Sequence, residues 1–365
     1  TDVSVTTLGV QLDEDHGISK GRSSDYRPAA IVTVETDAGI TGIGEGYGPT
    51  PQIVETIVED KFADALVGED ALDRERLWQA MVTEYTYWDQ KGQGISAASG
   101  VDLALWDIAG KYHDAPVHQL LGGDAHGDGT VQAYASDLFW DDPAAMAATA
   151  ADHVDRGFPA VKTHLGRGLE ADRARVEAIQ DAIGDADLMV DMNCGYERPE
   201  ALKVGRMLED HDVYWYEEPL SPYDVDGLAR LHRKLDVPIA TGENEYTKWG
   251  FKEILEQEAA DFLMPDLMRC GGITEGRKIC ALAEAYDVTS TPHNYSTGVG
   301  LAATLQLMAC TPATAWLEFD VTEYALYEDL LVSPLAIDDG RVTVPTDPGL
   351  GVHLPDDIVE AYGTG

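Results

Sequence analysis

Three acidic residues recur 26 positions apart, Asp191, Glu217 and Glu243, each closing a short apolar run (LMVDMN, VYWYEEP, PIATGEN). Three carboxylates brought together repel one another strongly unless a positive charge sits between them. An all-oxygen set of that size suits a hard divalent ion, with Mg2+ keeping water or substrate in its remaining octahedral positions. Any single one of the 66 acids in the chain is more simply a partner for a surface base, but three in register are not. Glu218, on the other face of its strand, reads as a supporting residue.

Asp266 (DFLMPD) and His293 (VTSTPHN) come next in the chain. A carboxylate set against an imidazole fixes its tautomer and raises its pKa, which makes a general acid–base pair. Upstream, Lys162 and His164 of AVKTH stand at i and i+2, so both point to one side of a strand. They offer a cation and a second acid–base group. Glu318 (AWLEF) has two equal readings: a protonated donor to a substrate carboxylate, or half of an interior salt bridge. Asn193 is placed to donate to substrate, whereas Cys194 has no adjacent base and reads as a packed small residue. Outside this set, Asp13 to Arg27 reads as a mobile polar loop, whose His16 and Arg22 either touch substrate or are solvated. Tyr85, Tyr87 and Trp88 read as core of a cap, with Tyr87 kept as a candidate substrate contact.

The elements that must position these groups follow from the spacing. Residues 164, 191, 217, 243, 266, 293 and 318 are separated by 27, 26, 26, 23, 27 and 25 positions, about one strand, one helix and two loops each time. Eight strand-like runs (VQAYA, AVKTH, DLMVD, VYWYE, PIATG, DFLMP, VTSTP, AWLEF) alternate with amphipathic stretches, which predicts a closed parallel barrel with its chemistry at the C-terminal strand ends. Before it, residues 1–50 read as strands and 51–121 as helices, with Gly122-Gly123 marking a boundary near 125. After Glu318 the pattern changes to a hairpin and a polar tail.

The chain carries 66 acidic against 25 basic residues, a formal net charge of −41. That disfavours nucleic acid and anionic membrane as partners. The acid is dispersed along the chain, which suits a high-salt cytosol and predicts a halophilic source. No apolar stretch is long enough to span a bilayer, the first residues read as a strand, and four cysteines show no paired spacing. A cytoplasmic setting is expected.

Taken together, VDLALWDIAGK with LLGG, AVKTH, VDMN, YEEP, TGEN, MPDLMRCGGIT and TPH make the chain resemble the enolase superfamily, in its mandelate racemase/muconate lactonizing branch, over essentially its full length. The resemblance implies a (β/α)7β TIM-like barrel (126–325) under an α+β capping domain built from residues 1–125 and completed by the tail 326–365. It implies one Mg2+ per subunit on Asp191, Glu217 and Glu243, a His293–Asp266 dyad, and homo-oligomers, often octamers. The implied first step removes the proton α to a carboxylate, with Mg2+ stabilising the enediolate. Lys162 matches the lysine that neutralises the substrate carboxylate. Where many relatives have a second lysine two residues on, this chain has His164, and Asn193 stands where the galactonate dehydratase type has a histidine. The implied activity is dehydration of an aldonate or aldarate to a 2-keto-3-deoxy acid, with His164 or His293 as base and His293 as the simplest acid. Racemisation or epimerisation of a small 2-hydroxy carboxylate, and cycloisomerisation, are the alternatives. A catalytically inert binding barrel is disfavoured because all seven strand-end groups are present.

Overall fold

The computed structural model describes residues 1–85, 87, 89–322 and 324–364, without the side chains at 13–15, 84, 85 and 137. Trp88 and the side chain of Tyr85 therefore lie outside the described residues.

Alternating apolar residues in VSVTTLGV and AIVTVE build an antiparallel sheet of β1 (Asp2–Gly17), β2 (Ser23–Glu35) and β3 (Thr41–Gly46). Helices α1 (Pro51–Ile57) and α3 (Gln93–His113) pack on it, and α2 (Arg74–Tyr85) packs against α3. The backbone of α3 lies directly on β3. A Cβ on Gly44 would fall 2.0 Å from the Gly100 carbonyl, and one on Gly42 would fall 2.2 Å from that of Ala104, so this contact requires glycine.

The stretch expected to be a mobile loop is mostly ladder. His16 pairs with Ser24 and Gly17 with Ser23 after a register shift, around a tight turn at Ser19–Gly21. Its polar composition suggested solvent, but the hairpin tip is tied by backbone bonds from Trp140 to Gly17 (2.7 Å) and from Lys20 to Gly166 (3.3 Å). An arm that lies over another part of the chain satisfies its polar groups there.

All eight runs anticipated as barrel strands form. β4 (Thr130–Leu138), β5 (Ala160–His164), β6 (Asp187–Asp191), β7 (Trp215–Glu217), β8 (Ile239–Thr241), β9 (Phe262–Leu263) and β10 (Thr289–Ser290) pair in parallel succession. β11 (Leu317–Asp320) pairs in parallel with β4, and a Ser290–Thr314 bridge completes the ring. Between successive strands run α4 (Pro143–Asp155), α5 (Leu169–Ile183), α6 (Arg198–Glu209), α7 (Val225–His232), α8 (Thr247–Glu256), α9 (Gly272–Ala285) and α10 (Gly298–Ala309). This is the (β/α)7β barrel. Beyond it, β12 (Ile337–Asp338) and β13 (Arg341–Thr343) form a hairpin on the start of β4. The tail returns to the first part of the chain, with Leu350 N–H on Asp107 and Thr364 N–H on Thr7.

Inside the barrel, Tyr134, Ala160, Met189, Trp215, Ala240 and Met264 form a buried layer, one from each of β4 to β8 and one at the end of β9. Residues two further along a strand share its face, so Lys162, Asp191 and Glu217 form the next layer up, at the mouth. No helix among the described residues is long and apolar enough to cross a membrane.

Candidate active site

Strand register brings the acids together. His164 lies beside Asp191 and Asp191 beside Glu217 in the ladder, with Glu243 two residues past the end of β8. One carboxylate oxygen from each of Asp191, Glu217 and Glu243 lies within 4.8 Å of the others, and all three residues are buried. Burial would raise the Asp191 carboxyl, yet His164 and Lys162 beside it hold it below its ordinary value. Glu217 is pushed well up by burial, with Lys162 opposing and Asp191 adding to the rise. This all-oxygen cluster carries more negative charge than Lys162 can offset, and its donors fit a hard divalent cation. Glu218 is buried behind it, its carboxyl pushed up to about 8 by burial, and accepts from Cys194 (3.0 Å) and Asn244 (2.8 Å). Burial and that carboxylate drive the Cys194 thiol far up, consistent with an inert cysteine.

A histidine stands at each end of the triad. His164 Nδ1 is 3.0 Å from Asn193 Oδ1 and 3.4 Å from Asp191, and His293 Nε2 is 3.3 Å from Glu243. Their partners differ in kind. Asn193 takes a left-handed turn (φ 41°) and donates Nδ2 to Asp191 at 2.6 Å, so its Oδ1 is an acceptor and His164 Nδ1 carries the hydrogen. Both nitrogens of His293 face acceptors: Nδ1 is 2.8 Å from Asp266, and Nε2 faces Glu243, with Glu318 at 3.9 Å. Burial would lower the His293 pKa, but these carboxylates outweigh it and push it up to about 10.

Lys162 and Glu318 meet across the interior at 2.6 Å, and Lys162 is 3.1 Å from Glu217. Against its burial, Lys162 and His293 hold the Glu318 carboxyl far below its ordinary value. Of the two readings of Glu318, the geometry matches the salt bridge and not the protonated donor. Ser136 Oγ (2.8 Å) and Asn294 N–H (3.0 Å) complete its shell.

The sequence pattern missed two groups at the mouth, Phe139 and Arg269, and left open what His16 and Arg22 do. Phe139, just past the end of β4, lies parallel to His164 at 5.3 Å, and His16 from the hairpin stacks on its other side at 3.9 Å. The ladder started at β5 because β4 ends on an apolar residue, although the strand-end rule points to Phe139 as well. Arg269 is 3.4 Å from Asp266, with its guanidinium 3.6 Å from the centre of the Tyr47 ring. Its position three residues after Asp266 was the available signal. Arg22 reaches Ser19 Oγ (3.0 Å) and the Asn193 carbonyl, so it borders the site. Tyr87 is 81% exposed and is not cap core.

The model of the mandelate racemase / muconate lactonizing enzyme N-terminal domain matches residues 3–122, and that of the enolase C-terminal domain-like region matches 145–358. A D-xylonate dehydratase of Haloferax volcanii is 36% identical over 357 residues, 92% of this chain and 85% of its own. A D-galactarolactone cycloisomerase of Agrobacterium fabrum is 35% identical over 351 residues, 93% of this chain and 92% of its own. Among solved structures, the 3,6-anhydro-D-galactonate cycloisomerase of Zobellia galactanivorans matches at TM-score 0.92 and 35% identity, covering 100% of this chain and 99% of that one. A racemase of Streptomyces coelicolor with bound magnesium matches at TM-score 0.90 and 31% identity, with the same coverage.

Proposed function

The chain belongs to the mandelate racemase / muconate lactonizing enzyme family, and on that premise we propose that it is an acid-sugar dehydratase that converts an aldonate or aldarate to a 2-keto-3-deoxy acid. One observation carries the reading: an imidazole stands at each end of the carboxylate triad, with opposite hydrogen-bonding environments. Dehydration needs that pair, a base for the proton on C2 and an acid for the hydroxyl on C3.

His164, with Nδ1–H directed to Asn193, presents the Nε2 lone pair to the C2 proton. His293, with both nitrogens facing carboxylates, carries the proton that leaves with the C3 oxygen as water. The C2–H and C3–O bonds break, a C2–C3 double bond forms, and the resulting enol returns to the 2-keto acid. Lys162 sets a positive charge beside the triad, where the substrate carboxylate docks. Asp191, Glu217 and Glu243 would hold the Mg2+, which when bound supplies positive charge to offset the charge developing on that carboxylate. Asp266 and Arg269 orient His293 and Glu243, and Phe139 with His16 closes one side of the pocket. The dispersed acidic charge supports work in a salt-rich cytoplasm, and membership of the family supports a homo-oligomer.

The cycloisomerase relatives favour a second reading, in which the same C2 base acts on a lactone or anhydro sugar acid and no water is lost. A panel of acid sugars and their lactones, assayed with Mg2+ and with EDTA, separates them. Keto acid formed from an open-chain acid only with Mg2+ supports dehydration. Turnover of lactones alone replaces it with the second reading, and solvent deuterium at C2 with no keto acid replaces it with racemisation.

A further inference from the structure

Outside the site described above, α2, α3 and α9 border a cleft of about 380 Å³ lined by Arg74, Trp106, Thr274 and Arg277 together with the charged residues Asp73, Glu75 and Arg76. Most of its charges are already matched. Arg76 pairs with Asp73 (3.0 Å) and Glu69 (2.7 Å), and Glu75 pairs with Lys278 (2.7 Å). Arg74 and Arg277 remain, and neither makes an ion pair or side-chain hydrogen bond among the described residues.

In a chain with 66 acids and 25 bases, two guanidiniums in one cleft without an ion pair among the described residues stand out. Arg74 lies over the Trp106 ring, 4.1 Å from its centre, and its Nε is buried without a partner. Burial disfavours the charge on Arg74 most, Asp102 favours it, and Arg277 adds to the disfavour. The carboxylate behind them, Asp102, accepts from Thr274 N–H at 2.9 Å and is itself held up to about 7 by burial, so it offers incomplete compensation. A buried, unsatisfied guanidinium nitrogen is costly, and planar guanidinium forks match oxyanions better than a spherical halide.

We propose that the Arg74–Arg277 cleft is a binding site for a small tetrahedral oxyanion of the phosphate or sulfate class. It lies where α2 and α3 meet α9. Trp78 Nε1 on the Gly271 carbonyl (2.9 Å) and Trp106 Nε1 on Thr274 (2.9 Å) already join these elements. An anion there would tie α2 to α9, and so hold the segment that follows Asp266 and Arg269.

The test uses the full-length, Mg2+-equilibrated chain titrated with sodium sulfate at constant ionic strength made up with sodium chloride, followed by calorimetry and thermal unfolding. The expected result is saturable binding with an upward Tm shift of several degrees, and at least tenfold weaker binding in both Arg74→Gln and Arg277→Gln. Arg277 is exposed, so that variant remains informative even if Arg74→Gln fails to fold. A Tm that climbs linearly without saturation, or saturable binding unchanged in Arg277→Gln, overturns the proposal. So does an Arg277→Gln chain of smaller oligomeric state by sedimentation when sulfate does not bind wild type, because carboxylates of a second copy would then occupy the cleft.

Discussion

Replacing Lys162 with methionine keeps most of the side-chain volume and removes the one ammonium inside the barrel layer that carries Asp191 and Glu217. Its Nζ is 2.6 Å from Glu318 and 3.1 Å from Glu217, in residues that are almost fully buried. At an effective dielectric of about 20 those separations correspond to about 6 and about 5 kcal/mol of attraction, upper bounds because desolvation opposes them. Breaking a buried pair while leaving its partner charged costs about 3–5 kcal/mol, a large share of the ~5–15 kcal/mol that holds a domain folded. Removing both partners is far milder. Urea unfolding of EDTA-treated protein at fixed salt therefore has a clear expectation. Lys162→Met loses about 3–5 kcal/mol, and Lys162→Met/Glu318→Gln recovers about 2 kcal/mol of it. A single-variant loss below about 1 kcal/mol, or a double variant no more stable than the single, refutes the reasoning that this lysine is held by interior charge.

Three further outcomes are expected. Glu45 accepts from Thr297 N–H and Oγ1 and from Gly300 N–H, yet burial holds its carboxyl up to about 7 from 4.5. The folded chain thus keeps this proton more tightly than the unfolded one, so the stability it contributes is full below about pH 4.5 and lost as pH rises through 7. Glu45→Gln should flatten the fall in unfolding free energy from urea titrations between pH 5 and 8 by up to about 3 kcal/mol, and an unchanged profile counts against it. Phe139→Ala removes the ring parallel to His164 and should lower kcat about tenfold, the value of one aromatic contact, with Mg2+ affinity unchanged by calorimetry. Glu217→Gln removes one of the three converging carboxylates and should weaken Mg2+ binding at least tenfold by the same calorimetry, whereas wild-type affinity would remove it from the metal set.

The barrel was legible because each strand is a short apolar run closed by a polar residue, so Asp191, Glu217 and Glu243 fall into register once the strands are aligned. What one-dimensional spacing does not carry is orientation. Asn193 reads as a substrate donor from its position, but its left-handed backbone turns it onto Asp191 and His164. The Lys162–Glu318 pair joins strands 156 residues apart, and only closure of the ring brings them within reach. The hairpin tip reads as a loop from its polar composition, but its backbone is tied to that of the barrel loops, a partner that local composition does not reveal. Arg74 and Arg277 are separated by 203 residues and carry no motif, so only packing puts them in one cleft.

The assignment of His164 as base and His293 as acid is tested most directly by solvent exchange in D2O, with an acid sugar that the wild-type enzyme dehydrates. His293→Asn should still introduce deuterium at C2 of the recovered substrate while forming no keto acid, and His164→Asn should do neither. Deuterium incorporation at the wild-type rate in His164→Asn, or keto acid at the wild-type rate in His293→Asn, would contradict the division of labour between the two ends of the triad.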